Sequence, residues 1–95
     1  MRLKILPALI RKGGFTYFLE IRDEKRCIYR QQSGNRIVAF EVFRTKLIPP
    51  HHHSENDCAN FDKVESFPGN EEFGKRAWYC PDLKSAMKKY EECKN

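Results

Sequence analysis

The stretch RIVAFEVFRTK, at residues 36–46, limits the folds available to this chain more than any other part of it. Its first alternating set is Ile37, Ala39 and Phe43, interrupted by Glu41; its second is Val38, Phe40 and Val42, ending in Arg44 and Lys46. Successive strand residues point to opposite faces of a sheet. Apolar side chains in both sets therefore predict a strand that is covered on both sides and has neighbouring strands.

The preceding residues predict the neighbours of this strand. Residues 15–22 alternate apolar and polar side chains, with Phe18 as the exception, and residues 27–32 form a shorter run. Gly13-Gly14 and Ser33-Gly34-Asn35 are typical turn sequences, and the charged residues 23–26 suit a hairpin loop. Because consecutive strands with short links pair antiparallel, the sequence predicts a meander.

The last third of the chain predicts more strands and a helix. Residues 61–67 and 75–80 have weaker strand patterns, and residues 70–74 favour a short helical turn between them. Asp82 is a suitable N-cap, and apolar side chains follow it at helical spacing: Leu83, Ala86, Met87, Tyr90 and Cys93. We therefore predict an α+β fold, an antiparallel sheet of four to five strands with one C-terminal helix packed on one face and the opposite face open.

Length and composition indicate a single domain over residues 1–95, because chains divide into domains only at greater lengths. From Pro49 the sequence becomes polar, which predicts a mobile loop over residues 49–60. The amino-terminal apolar run is too short, and too interrupted by Pro7, for a signal peptide or a membrane span. The four cysteines contain no C-x-x-C pair. Together these features predict a cytoplasmic protein with reduced thiols and no membrane partner.

Positive charge is concentrated in the first half of the chain. Residues 1–50 carry eleven Lys/Arg and four Asp/Glu, whereas residues 51–95 carry seven and nine, which gives +7 and −2 and the net charge of +5. Basic strand faces commonly serve only solubility, but such a half could also bind nucleic acid or an acidic protein. The residues expected to contact a partner are Arg22, Arg30, Arg36, Arg44, Lys46 and Trp78. No RNP-like, KH or helix-turn-helix sequence accompanies them.

The run His51-His52-His53 raises the question of a metal site. Imidazoles bind zinc, nickel and copper, and His51 and His53 with Cys58 could converge on one ion. Adjacent histidines seldom all reach one metal, so a solvated His-rich loop is the favoured interpretation. Cys58 lacks the sequence context of an activated nucleophile. We therefore predict neither a catalytic residue nor a cofactor.

The segment FPGNEEFGKRAWYCPDLKSAMKKYEEC, at residues 67–93, contains the run N-E-x-F-G-x-x-A-W before an amphipathic helix. In this layout, and in the upstream IYRQ and AFEVFR stretches, the chain resembles a group of small bacterial and phage-type proteins of no known activity. The resemblance implies a mixed domain of sheet and helix. It implies no site residue.

These observations predict a small non-catalytic binding or accessory protein, with another protein or a second copy of itself as its partner. The basic amino-terminal half and the open sheet face would form the contact surface. Nucleic-acid binding through the basic sheet surface is the alternative function, and metal binding through the histidine loop is the third.

Overall fold

The computed structural model describes residues 3–49 and 62–93, which form two β-sheets, a short 3-10 turn and an α-helix. In chain order the strands are β1 (Leu3–Lys4), β2 (Leu9–Lys12), β3 (Phe15–Arg22), β4 (Arg26–Ser33), β5 (Arg36–Arg44), β6 (Leu47–Ile48), β7 (Lys63–Glu65) and β8 (Ala77–Cys80). The 3-10 turn is Asn70–Glu72, and the helix α1 is Leu83–Glu92. The predicted α+β class is confirmed.

The larger sheet contains the predicted meander. Its strand order is β2-β3-β4-β5-β8, and every neighbouring pair is antiparallel. Gly13 and Gly14 both have positive φ, of 61° and 83°, as the turn between β2 and β3 requires. Gly34 has a φ of 60° at the first position of the two-residue turn between β4 and β5. The predicted turns are therefore confirmed.

Replacing Gly34 with alanine is expected to destabilise the protein by about 1 kcal/mol, because the left-handed backbone conformation is unfavourable for an L-residue with a Cβ atom. A Cβ at this position would meet no atom within 4 Å, so the cost would be purely conformational. Chemical denaturation measures it. Asn35→Ala is the matched control, because residue 35 lies in the same turn without positive φ. Equal effects of the two substitutions would contradict this explanation.

Helix α1 packs on one face of the larger sheet, as predicted. Asp82 begins it as the N-cap, with its carboxylate accepting a hydrogen bond from the Ser85 amide at 2.7 Å. A buried cluster joins the helix to the sheet: Ile28, Phe40, Val42, Cys80, Ala86, Tyr90 and Cys93. We call this side of the sheet the helix face. Two members of the predicted apolar stripe, Leu83 and Met87, are instead exposed, so that the buried stripe is narrower than the sequence indicated.

The opposite face of the sheet is also covered, so the prediction of an open face is wrong. Buried side chains on this side are Tyr17, Cys27, Tyr29, Phe43 and Ala77, and we call it the aromatic face. Leu6, Phe67 and Phe73 pack against it from segments outside the larger sheet. Phe67 alone makes edge contacts with three aromatic rings, at centroid distances of 5.0 to 5.7 Å. The covering of β5 on both sides agrees with its two apolar sets.

A second, smaller sheet was not predicted. Its strand order is β1-β7-β6, with β1 and β7 parallel and Lys4 opposite Val64. The strand expected over residues 61–67 is therefore limited to β7 and belongs to this sheet rather than to the larger one. Two hydrogen bonds from the Arg22 guanidinium to the Glu65 carboxylate, both 2.8 Å, join the two sheets.

Nothing helical within residues 3–49 and 62–93 has both the length and the apolar character that a membrane crossing requires. The predicted loop over residues 49–60 lies, apart from Pro49, outside the described residues.

Candidate ligand pocket

A small pocket opens on the aromatic face, where five strands meet the covering segment. Its volume is about 210 Å³. Strands β2, β3, β4, β5 and β8 and the residues around the 3-10 turn line it with Lys12, Gly13, Phe15, Tyr17, Gln31, Glu41, Phe67, Pro68, Phe73 and Tyr79. Half of these ten residues are aromatic, and the only carboxylate among them is Glu41. The pocket therefore joins flat apolar walls to a single acidic group.

Glu41 lies on β5 with only 1% of its surface exposed. Among the described residues, its Oε1 atom has no hydrogen-bond partner. Burial raises the pKa of Glu41 to about 7, while hydrogen bonding to Tyr79 and Tyr17 and the positive charge of Lys12 act in the opposite direction. Buried polar atoms without partners are uncommon because each one loses its hydration. Glu41 Oε1 is therefore the atom of this pocket that most needs a donor.

The surrounding polar groups are held in fixed positions. Gln31, which is buried, donates from Nε2 to the Tyr17 hydroxyl oxygen at 3.0 Å. That contact leaves the Tyr17 hydroxyl proton free to donate to Glu41, and this hydrogen bond lowers the pKa of the carboxyl group. Burial, and then the nearby charge of Glu41, raise the pKa of Tyr79 to about 12 and also raise that of Tyr17. Both phenols are therefore neutral donors at physiological pH.

Two aromatic pairs shape the walls. Phe73 and Tyr79 are stacked, with ring centroids 4.5 Å apart and planes 9° from parallel. Tyr17 meets Phe67 edge to face at 5.0 Å. Lys12 reaches over this second pair, with its Nζ atom 5.0 Å from the Phe67 centroid. The pocket thus has a flat stacked wall on one side and a cation at its rim.

We compared the chain with known proteins. No protein-family model, curated protein or solved structure matches it. The resemblance to small bacterial and phage-type proteins therefore stays a prediction, and the function has to be argued from the geometry of the chain itself.

The basic residues that the sequence singled out do not form one surface. Arg22 lies on the aromatic face and forms an ion pair with Glu65, and 19% of the Arg22 side chain is exposed. Arg30 lies on the helix face, where it forms an ion pair with Glu20 and stacks 4.9 Å from the Phe18 ring. Both guanidinium groups are therefore engaged within the chain.

The remaining predicted contacts are dispersed as well. Arg36 and Arg44 lie at the two ends of β5 and are exposed. The Nζ atom of Lys46 lies 3.7 Å from the Glu72 carboxylate oxygen Oε2. Trp78 is half-buried on the helix face, with Lys89 Nζ 4.8 Å from its ring centroid. A continuous basic platform for nucleic acid is thus poorly supported by the positions of these six residues.

The predicted metal ligands His51, His53 and Cys58 lie outside the described residues. Within the described part of the chain, no group of three or more His, Cys, Asp or Glu side chains is arranged to hold a metal ion.

Sequence reasoning missed Glu41 as a site residue, although its signal was visible. It is the one charged side chain in an otherwise apolar alternating set of β5. A carboxylate that points into a hydrophobic core needs a charged or hydrogen-bonding partner. No regular spacing along the sequence shows which residue that partner is. Its pocket neighbours come from β2, β3, β4 and β8 and meet only in the folded sheet.

Proposed function

We propose that this chain is a small non-catalytic binding protein whose pocket on the aromatic face accepts a group with N–H donors and holds it on Glu41. The observation that carries the proposal is the buried Oε1 atom of Glu41, which has no partner among the described residues and belongs to a side chain that lines the cavity. An incoming N–H group would satisfy this atom and replace the hydration that it lost on folding.

The aromatic lining supports the same proposal. Phe15, Phe67 and the stacked pair Phe73 and Tyr79 offer flat apolar surface beside the carboxylate. Ligand pockets typically combine such walls with a few placed polar groups that fix orientation. A donor group attached to a planar ring would use both features at once.

The chemistry of the other polar groups favours binding over catalysis. Two phenols with raised pKa values and one amide surround the carboxyl group, and neither type is a nucleophile at neutral pH. The described thiols Cys27, Cys80 and Cys93 are free and buried, and burial raises the pKa of Cys27 to about 12. Reduced buried thiols support a cytoplasmic location, which we keep as part of the proposal.

Benzamidine is a suitable probe, because it carries an amidinium donor group on a flat ring. We expect it to shift the backbone amide resonances of Glu41 and of Tyr79, which lies opposite it, at millimolar concentration, whereas benzoate, of the same shape but opposite charge, does not shift these two resonances. Glu41→Gln is expected to weaken benzamidine binding by about tenfold or more, since it removes a charge-assisted hydrogen bond.

Glu24→Gln is the matched control, because Glu24 is an exposed carboxylate outside this pocket. It should leave benzamidine binding unchanged. The proposal is overturned if benzamidine causes no shifts in the pocket, if benzoate causes the same shifts, or if the Glu41→Gln protein binds benzamidine as tightly as the wild type.

A further inference from the structure

A second concave surface adjoins the Glu41 pocket at the turn between β2 and β3. Its volume is about 410 Å³, and it is lined by Arg11, Lys12, Gly13, Gly14, Phe15 and Thr16. Lys12, Gly13 and Phe15 line both cavities. The two cavities therefore adjoin, and we call them together the depression, with the acidic group at one end and basic groups at the other.

The basic end is suited to an anion. Its two charged residues, Arg11 and Lys12, are both cations and both exposed, and its lining includes no carboxylate. Within residues 3–49 and 62–93, neither cation has an ion-pair partner within 4.0 Å. In this they differ from Arg22, Arg30 and Arg76, whose charges are paired within the chain. Such unpaired cations favour a phosphate or carboxylate of a ligand.

A ligand that uses the whole depression must therefore bring N–H donors to Glu41, a flat ring to the aromatic walls and an anion to Lys12. Guanine has two adjacent N–H donors on its pairing edge, and a carboxylate offers about four lone-pair sites, enough for both donors beside the two phenols. Adenine places a ring nitrogen acceptor at the equivalent position, which repels an ionised carboxylate. Flat bases stack well on aromatic side chains.

We infer that the pocket binds a guanine mononucleotide, with the base edge on Glu41, the ring against the aromatic walls and the phosphate at Lys12. This inference rests on the proposed function and extends it to a ligand class. It assigns the site to one free nucleotide rather than to a nucleic-acid strand, because the basic residues elsewhere are paired or dispersed.

Calorimetric titration of the full chain with GMP, guanosine and AMP tests the inference. We expect GMP to bind about tenfold more tightly than guanosine at low salt, from the phosphate contact, and more tightly than AMP, from the base edge. Lys12→Ala should remove the advantage of GMP over guanosine, measured as the ratio of their two affinities for the same variant. Lys25→Ala, which removes an exposed lysine outside both cavities, should leave all three affinities unchanged.

The inference is overturned if GMP binds no more tightly than guanosine, or if AMP equals GMP. Should benzamidine still bind through Glu41 in that case, the proposed donor pocket stands and only the nucleotide assignment fails. Should the Glu41→Gln protein bind GMP as the wild type does, the base is not held on Glu41 and the inference fails at that end of the depression.

Discussion

Replacing Arg22 with leucine is expected to lower the free energy of unfolding by about 3 kcal/mol at neutral pH, because it leaves a buried carboxylate without its cation. The Glu65 side chain is only 4% exposed and accepts both guanidinium hydrogen bonds, at 2.8 Å each. Within the described part of the chain, its one other donor is the Leu6 amide, at 2.9 Å. This loss of stability is at the low end of the range for breaking a buried ion pair, because Arg22 is partly exposed to solvent.

The double variant Arg22→Leu with Glu65→Leu is the control, and we expect it to recover most of the lost stability, since it leaves no unpaired charge behind. Burial alone would raise the pKa of Glu65, but the hydrogen bonds from Arg22 and Leu6 lower it below 4.5. The stability that this ion pair contributes is thus fully present above the pKa of Glu65 in the unfolded chain. It is lost as the pH falls through the lower pKa of Glu65 in the folded protein. The penalty of Arg22→Leu should therefore shrink as the pH falls below 4.5.

Hydrogen exchange provides a local measurement of the same change. Arg22 belongs to β3 of the larger sheet and Glu65 to β7 of the smaller one, so their pairing ties the two sheets together. Amides of β1 and β7 should exchange faster in the Arg22→Leu protein than those of β4 and β5. Uniform acceleration, or a loss of stability well below 1 kcal/mol, would show that the ion pair does not hold the smaller sheet in place.

Local sequence patterns predicted the larger sheet and the helix because their causes are local. The alternation in residues 15–22 gave β3 its bounds, and Gly13, Gly14 and Gly34 supplied the positive φ that two-residue turns need. Asp82 capped α1 at the predicted position. Each of these signals depends on residues that are neighbours in the chain.

The smaller sheet and the covering of the aromatic face have no comparable local signal. The strands of the smaller sheet are two or three residues long, which is too short to show alternation. In addition, β1 pairs with residues about sixty positions away in the chain. Phe67 and Phe73 cover the sheet from outside any strand, where no periodicity marks a residue as buried. The open face was therefore predicted from one helix alone, although the two apolar sets of β5 already required cover on both sides.

The pocket was beyond sequence reasoning for the same reason. Glu41 faces Lys12 of β2, Tyr17 of β3 and Tyr79 of β8, which are charged or titratable groups from three other strands. Antiparallel pairing places Tyr79 directly opposite Glu41, and this register cannot be read from spacing along the chain. A charged residue inside an apolar strand pattern was the one available indication of a functional position.

Glu41→Gln is expected to remove a loss of stability that the wild-type protein shows between about pH 4.5 and pH 7. Burial raises the pKa of Glu41 from 4.5 to about 7 in the folded state, so the folded protein binds this proton more tightly than the unfolded chain does. The stability that this proton contributes is complete below pH 4.5 and declines as pH rises through the folded pKa. The whole change amounts to roughly 3 kcal/mol, after which stability no longer depends on this group.

Chemical denaturation of the wild-type and Glu41→Gln proteins across this range measures the difference. Gln keeps an acceptor oxygen for the two phenols but cannot ionise, so the variant should be the more stable protein at pH 8 and should lose its advantage near pH 4.5. The carboxyl groups of Asp23, Glu65, Glu72 and Asp82 have lowered pKa values, which confines their effects to lower pH. Parallel curves for the two proteins would contradict the raised pKa. If the Glu41→Gln protein is more stable at pH 8 and also binds benzamidine more weakly, the Glu41 carboxylate destabilises the fold and binds the ligand.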